Sequence, residues 1–131
     1  MIFVDSNVPM YLVGAEHPNK DRAVAMLTQL VTEGERFITD VEVYQEILHR
    51  YCAIRRKEAI DAAFESLDGL VDEVLSFDLP VVRAARDLLE TAAGLSARDA
   101  LHAAVMREAG TRRIFSFDSG FDAIEWVERL K

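Results

Sequence analysis

Short apolar runs alternate with longer amphipathic stretches along this chain. Ile2-Phe3-Val4 is a continuous apolar run, the pattern of a strand buried on both faces. Asn7 can cap a short helix through Leu12, with Pro9 tolerated in its first turn. Pro18-Asn19 opens a second helix, whose stripe Ala23, Met26, Leu27, Leu30 and Val31 keeps helical spacing until Gly34. Phe37-Ile38-Thr39 predicts a second strand. Thr39 or Asp40 then caps a long helix over 41–56, with Tyr44, Ile47, Leu48 and Tyr51 as its core stripe. A further helix covers 57–67, and Asp68-Gly69 breaks it. Residues 71–77 read as a third strand, and Asp78 caps the next helix, which has Pro80 in its first turn and stops at Gly94. Ser96 starts a nearly all-apolar helix over 97–109, closed by Gly110. A fourth strand at 114–117 and an amphipathic helix over 121–130 complete the pattern.

Strands alternating with helices predict an α/β fold with a parallel sheet covered on both faces. The helical pair between the second and third strands is more than one crossover needs, so a helical lobe is expected. Neither repeats nor low-complexity tracts interrupt the chain, and the expectation is a single domain over 1–131.

Composition narrows the classes. Half the residues are hydrophobic and 29% charged, as in ordinary globular proteins. Cys52 is the only cysteine, which excludes a disulfide scaffold. No apolar run approaches the roughly 18 residues of a membrane helix, and the first residues lack a basic signal-peptide start. A cytoplasmic protein with no membrane partner is expected. Fifteen basic residues against 23 acidic ones leave a net charge of −8, which argues against nucleic acid unless the acids gather around metal.

Where the acids fall therefore matters. Asp5 and Asp118 each follow an apolar strand, at the sheet edge where open α/β folds bind ligands. One such Asp is readily explained as a helix cap; two, with Asn7 and Ser119 available as caps, favour a site. Asp99 sits in Ser96-Ala97-Arg98-Asp99, a capping-box form, but at the start of a helix packed on nearly all sides. There a carboxylate needs a partner, so cap and metal ligand both stand. Periodicity puts Glu46 in a solvated ladder with Glu42 and Arg50, and makes Asp122 a plain first-turn acid. His102, one turn after Asp99, reads as a packed or supporting residue rather than a ligand. No phosphate-cradling glycine loop, zinc motif or serine elbow is present, so any metal site is all oxygen and suits Mg²⁺ or Mn²⁺.

Four segments in order carry a family resemblance. They are Asp5-Ser6-Asn7, the helix with Gln45-Glu46-Ile47-Leu48, Ser96-Ala97-Arg98-Asp99-Ala100-Leu101-His102, and Phe115-Ser116-Phe117-Asp118-Ser119-Gly120-Phe121-Asp122. Together they resemble a PIN domain, and most of all the VapC-type toxin ribonucleases of toxin–antitoxin pairs. The resemblance spans the whole chain. It implies a catalytic, metal-binding quartet of Asp5, Glu46, Asp99 and Asp118, with Asp122 as an additional acid, in a short parallel sheet flanked by helices. Asn7 and Ser116 would orient the acids, and Ser6 stands where the family more often has Thr. It further implies hydrolysis of RNA phosphodiesters by metal-activated water, with Mg²⁺ or Mn²⁺ as cofactor and a cognate antitoxin protein as partner, and it leaves room for a homodimer. Arg98 and Arg50 are candidates to hold the RNA backbone.

Two alternatives remain at this level. A haloacid-dehalogenase-like phosphotransferase also begins with an Asp after strand one, but it needs a second Asp where this chain has Asn7. A non-catalytic, partner-binding PIN-like module would keep the fold without turnover.

Overall fold

The computed structural model describes residues 1–131. Its five strands are β1 (Ile2–Val4), β2 (Phe37–Asp40), β3 (Glu73–Leu75), β4 (Arg113–Phe115) and β5 (Glu128–Leu130). They form one parallel sheet in the order β3-β2-β1-β4-β5. Every residue of β1 is fully buried, as its uninterrupted apolar run requires. From β1 the chain winds first toward β2 and β3, then to the other side through β4 and β5. The switch point lies between β1 and β4, so the residues following those two strands meet at a ready-made crevice.

The helices are α1 (Asn7–Val13), α2 (Pro18–Thr32), α3 (Val41–Ala53), α4 (Ile60–Leu70), α5 (Leu79–Thr91) and α6 (Ala97–Ala109). A 3₁₀ turn, Lys57–Ala59, leads into α4. The expected lobe is present: α3 and α4 form the helical pair, and α1 packs on α4. On the other side α5 packs against α6, whose small residues Ala100, Ala103 and Ala104 are all buried and let neighbours approach closely. One continuous core joins strands and helices.

Four sequence expectations change. The closing helix over 121–130 is instead a 3₁₀ turn, Ser119–Ala123, followed by β5. Phe121 and Ile124 are buried within this short connection, which lets the chain return to pair with β4, where Glu128 N–H bonds to Arg112 O. Asp68-Gly69 does not break α4, which runs to Leu70; Asp68 accepts the Tyr44 hydroxyl rather than turning the backbone. Asn7 does not cap α1, because its amide is used elsewhere and Ser6 holds the cap position. The α3 stripe is rotated from its predicted phase: Val43, Ile47 and Tyr51 are buried while Leu48 is exposed. That rotation takes Glu46 off the solvent side.

Candidate active site

The site grows from the ends of β1 and β4. Asp5 is nearly fully buried, and its Oδ1 accepts the Ser6 N–H at 2.8 Å. Its Oδ2 accepts the Ser116 hydroxyl at 2.6 Å and the Asn7 amide at 3.3 Å. Asn7 also donates to Ser116 Oγ and accepts Phe117 N–H, both at 3.3 Å, so one amide ties the two strand ends together. Burial still pushes the Asp5 carboxyl above its ordinary range. The His102 charge and these hydrogen bonds oppose that rise, while nearby Glu46 adds to it.

Glu46 reaches this centre from α3. Its Oε2 accepts the Ser6 hydroxyl at 2.7 Å, and its Oε1 lies 2.5 Å from His102 Nε2. Burial raises its proton affinity, but the His102 contact, the His102 charge and the Ser6 bond together hold it below the usual glutamate range. His102 is fully buried, and its other nitrogen, Nδ1, lies 2.8 Å from Asp40 Oδ2. Burial alone would discharge the ring. The two carboxylates prevail and hold it well above the ordinary histidine range. Asp40 meanwhile caps α3, accepting Val43 N–H at 2.9 Å through its second oxygen.

Asp99 lies at the start of α6. Ser96 Oγ accepts its backbone N–H at 3.1 Å, which completes half of a capping box. The other half is absent, since the Asp99 carboxylate makes no bond back to Ser96. It turns instead toward Asp118. Burial, followed by the charges of Asp118 and Asp5, pushes its carboxyl up to about 7. Asp118 caps the 3₁₀ turn with Oδ1, which accepts Gly120 N–H at 2.8 Å and so takes the helix-start role for itself. Asp118 N–H in turn bonds to Ser116 Oγ at 3.0 Å.

Gly120 lies in the fourth motif segment without a role assigned from sequence, yet it has a strict steric task. A Cβ there would sit 2.8 Å from Asp99 Oδ2 and 3.1 Å from Asp118 Oδ1, so only glycine leaves both carboxylates in place. The adjoining D-S-G spelling was the available signal. Asp40 and His102 were also under-read, since nothing in their spacing announces a contact 62 residues apart.

Asp122 does not join the other acids. Arg129 clamps both of its oxygens at 2.9 Å, and the pair bridges the 3₁₀ turn to β5. Arg98 and Arg50 line an open cleft of about 450 Å³ together with Ser6, Met10, Tyr11 and Glu46. Arg98 Nε lies 3.8 Å from Glu42, so most of its donors remain free toward that cleft.

Carboxylates from Asp5, Glu46, Asp99 and Asp118 gather at this sheet edge, with ligand atoms of Asp5, Glu46 and His102 within 4.8 Å of one another, and carboxylate oxygens suit a hard divalent cation. A carboxyl raised to about 7, by burial first and then by the charges of Asp118 and Asp5, is what such a cation would relieve.

Comparison with known proteins places the chain in a family. The PIN domain family model matches residues 2–127. Ribonuclease VapC13 of Mycobacterium tuberculosis is 54% identical over 130 residues, covering 99% of both chains. Among solved structures, VapC20 of Mycobacterium tuberculosis, described as a sarcin-ricin loop cleaving toxin, superposes with a TM-score of 0.73 at 24% identity over 98% of each chain. A toxin-antitoxin complex from Klebsiella pneumoniae gives a TM-score of 0.63 at 11% identity, over 98% of this chain and 96% of that one. These two structures speak for the fold. Because the family match and the VapC13 identity both run nearly end to end, the chain belongs to the PIN-domain VapC ribonuclease family.

Proposed function

We propose that residues 1–131 act as one PIN domain, the ribonuclease toxin of a toxin–antitoxin pair, working in the cytoplasm with Mg²⁺ or Mn²⁺. The observation that carries this reading is the facing of Asp99 and Asp118 across Gly120, beside Asp5 at the sheet's switch point. Asp5, Asp99 and Asp118 would hold the cation, and Glu46 would complete the quartet. A bound divalent ion supplies Lewis-acid polarisation of the phosphate and lowers the pKa of water. The chain's own groups do the rest. Asn7 and Ser116 fix the Asp5 carboxylate, and Ser6 holds Glu46. Arg98 and Arg50 offer charged donors to the RNA backbone along the cleft, while Tyr11 and Met10 supply apolar surface for bases. The phosphotransferase alternative has no support here: Asn7, standing where that family needs an acid, is committed to Asp5, Ser116 and Phe117.

The reading also includes an antitoxin protein on the lobe around residues 41–67. Val41, Leu48 and Ile54 are large, exposed hydrophobics along and just after α3, and Ile54 also lines the cleft. Co-expression with the neighbouring reading frame should relieve toxicity and give a co-purifying complex.

The deciding assay incubates purified protein with structured RNA and Mg²⁺ or Mn²⁺, beside a chelated control. Cleavage that stops with chelator is expected. Equal RNA survival in both tubes would overturn the ribonuclease reading and leave a binding module.

A further inference from the structure

The cleft beside the acids is a groove between two helices, with its charges ordered along it. Asn7, Met10, Tyr11 and Gly14, spaced as one face of α1 and its cap, form one wall. Glu46, Arg50 and Ile54, spaced as one face of α3 and its cap, form the other. At the acidic end the walls are pinned together, where Ser6 donates to Glu46 at 2.7 Å. From Glu46 to Ile54 the helical rise carries the groove about 12 Å away from the acids. Arg50 lies one turn from Glu46, about 6 Å along this path. It forms no ion pair with Glu46, whose oxygens end on Ser6 and His102. Tyr11 gives the opposite wall an aromatic surface, and its ring is braced. His17 packs against it at a centroid distance of 4.9 Å, and Phe117 meets it edge-on at 5.3 Å. Phe117 stands between Ser116 and Asp118, so the brace belongs to the strand end that carries the acids. His17 is fixed in turn, because its Nδ1 accepts the Asn19 N–H at the start of α2.

We propose that this groove is a track for a single RNA strand, in which Arg50 holds the phosphate next to the scissile one and Tyr11 stacks the base between them. This rests on the ribonuclease reading for the place of the scissile phosphate. One helical turn is a step that one extended nucleotide spans. At about 450 Å³ the cleft has the size of a single small-ligand site, so it admits an unpaired nucleotide and excludes a duplex. In a chain of net charge −8, Arg50 and Arg98 make this groove a place that draws an anionic strand. An aromatic face accepts any base, so the track selects for strandedness before sequence.

Fluorescence anisotropy tests the track on the intact protein, with a labelled single-stranded RNA hexamer and a blunt duplex of the same sequence. Ca²⁺ replaces Mg²⁺ in this assay, since its looser coordination disfavours turnover. The single strand should bind, and the duplex much more weakly. Arg50→Met keeps the stem and removes the charge. It should weaken single-strand binding and lower the salt slope by about 0.7, one phosphate's share. Arg86→Met makes the same change on α5, far along the chain from the groove, and should leave the slope alone. Tyr11→Leu should weaken binding about 5–150-fold with the slope unchanged, and Tyr11→Phe, which keeps the ring, should restore it. If melting curves show that Tyr11→Leu does not fold, His17→Asn replaces it; Asn keeps the cap of α2 and removes the brace, so binding should again weaken. Equal binding of duplex and single strand, an unchanged slope in Arg50→Met, or full affinity without the Tyr11 ring or its brace would overturn the track. If RNA is cut while these variants bind normally, the track falls and the ribonuclease reading stands. If they bind as expected while no RNA is cut with Mg²⁺ or Mn²⁺, the ribonuclease reading falls and the groove remains a single-strand binding site.

Discussion

Around Asp5 and Glu46 all four carboxylate oxygens end on a donor, whereas Asp99 and Asp118 face each other across Gly120 with one backbone N–H for company. The first half is built like a folded core, with buried charge matched to hydrogen bonds and an opposite charge in His102. The second half is left short of donors, and burial together with the Asp118 and Asp5 charges raises the Asp99 carboxyl. A site that binds a cation needs both parts. The satisfied half holds the geometry, and the unsatisfied half supplies the affinity that a cation releases.

The sharpest way to break this contrast is Asp99→Asn. If the second half binds metal, RNA cleavage should fall at least about 100-fold, the upper scale seen when a metal-orienting contact is lost. Stabilisation by added Mg²⁺ should shrink, because the protein binds less of what favours its native state. The metal-free protein should melt at the same temperature or higher, since one charge leaves a repelling pair. Cleavage beside melting curves with and without Mg²⁺ reads all three. A variant that cuts normally but melts slightly lower would return Asp99 to helix capping.

Gly120→Ala probes the same half without changing its charge. The added Cβ pushes on Asp99 and Asp118, so Mg²⁺ affinity should weaken about tenfold or more. The backbone there is not in the left-handed region, so no conformational strain accompanies the change. Calorimetric titration measures the affinity. Unchanged binding would mean that the carboxylates can separate freely.

Acidity separates the halves further. The folded-state pKa of Asp99, about 7, stands above the ordinary 3.8, so the native state holds this proton more tightly than the unfolded chain does. Its contribution to metal-free stability is therefore greatest below about pH 4 and is lost as pH rises toward about 7. Urea denaturation of wild type against Asp99→Asn across that window should show the wild type losing ground as pH rises. Saturating Mg²⁺ should flatten the difference and, near pH 6, release protons on binding, detectable in buffers of different ionisation enthalpy. A difference independent of pH would show that neither burial nor the neighbouring acids raise the Asp99 carboxyl.

The smallest effect belongs to Asp122→Ala. Its partner Arg129 is largely buried but Asp122 itself is exposed, so the loss should be about 0.2–1 kcal/mol, with Mg²⁺ affinity kept. A strong fall in Mg²⁺ affinity would place Asp122 back among the acids of the second half.

Much of this was legible in one dimension because the signals are local. The β1 and β4 runs, each delivering an aspartate at its end, and the Ser96 cap of α6 depend on neighbours in the chain, where backbone preference and periodicity act. The parallel α/β arrangement followed from element order. What periodicity misplaced was Glu46. A helix pattern tells which residues share a face, but not how far the flank of that face is covered once β1 and α6 arrive beside it. The last segment was misread for a related reason. Residues 121–130 carry a passable amphipathic pattern, and only the open edge of β4, together with the Asp122–Arg129 clamp, makes a short turn and strand the better use of them. Tertiary structure alone decided the roles of His102, Asp40 and Gly120. Ring nitrogens meeting carboxylates 62 and 56 residues away, and a missing Cβ that spares two acids, are relations in space between elements distant in sequence. Local pattern determined which carboxylates reach the sheet edge; packing decided which of them are satisfied there and which are left for a cation.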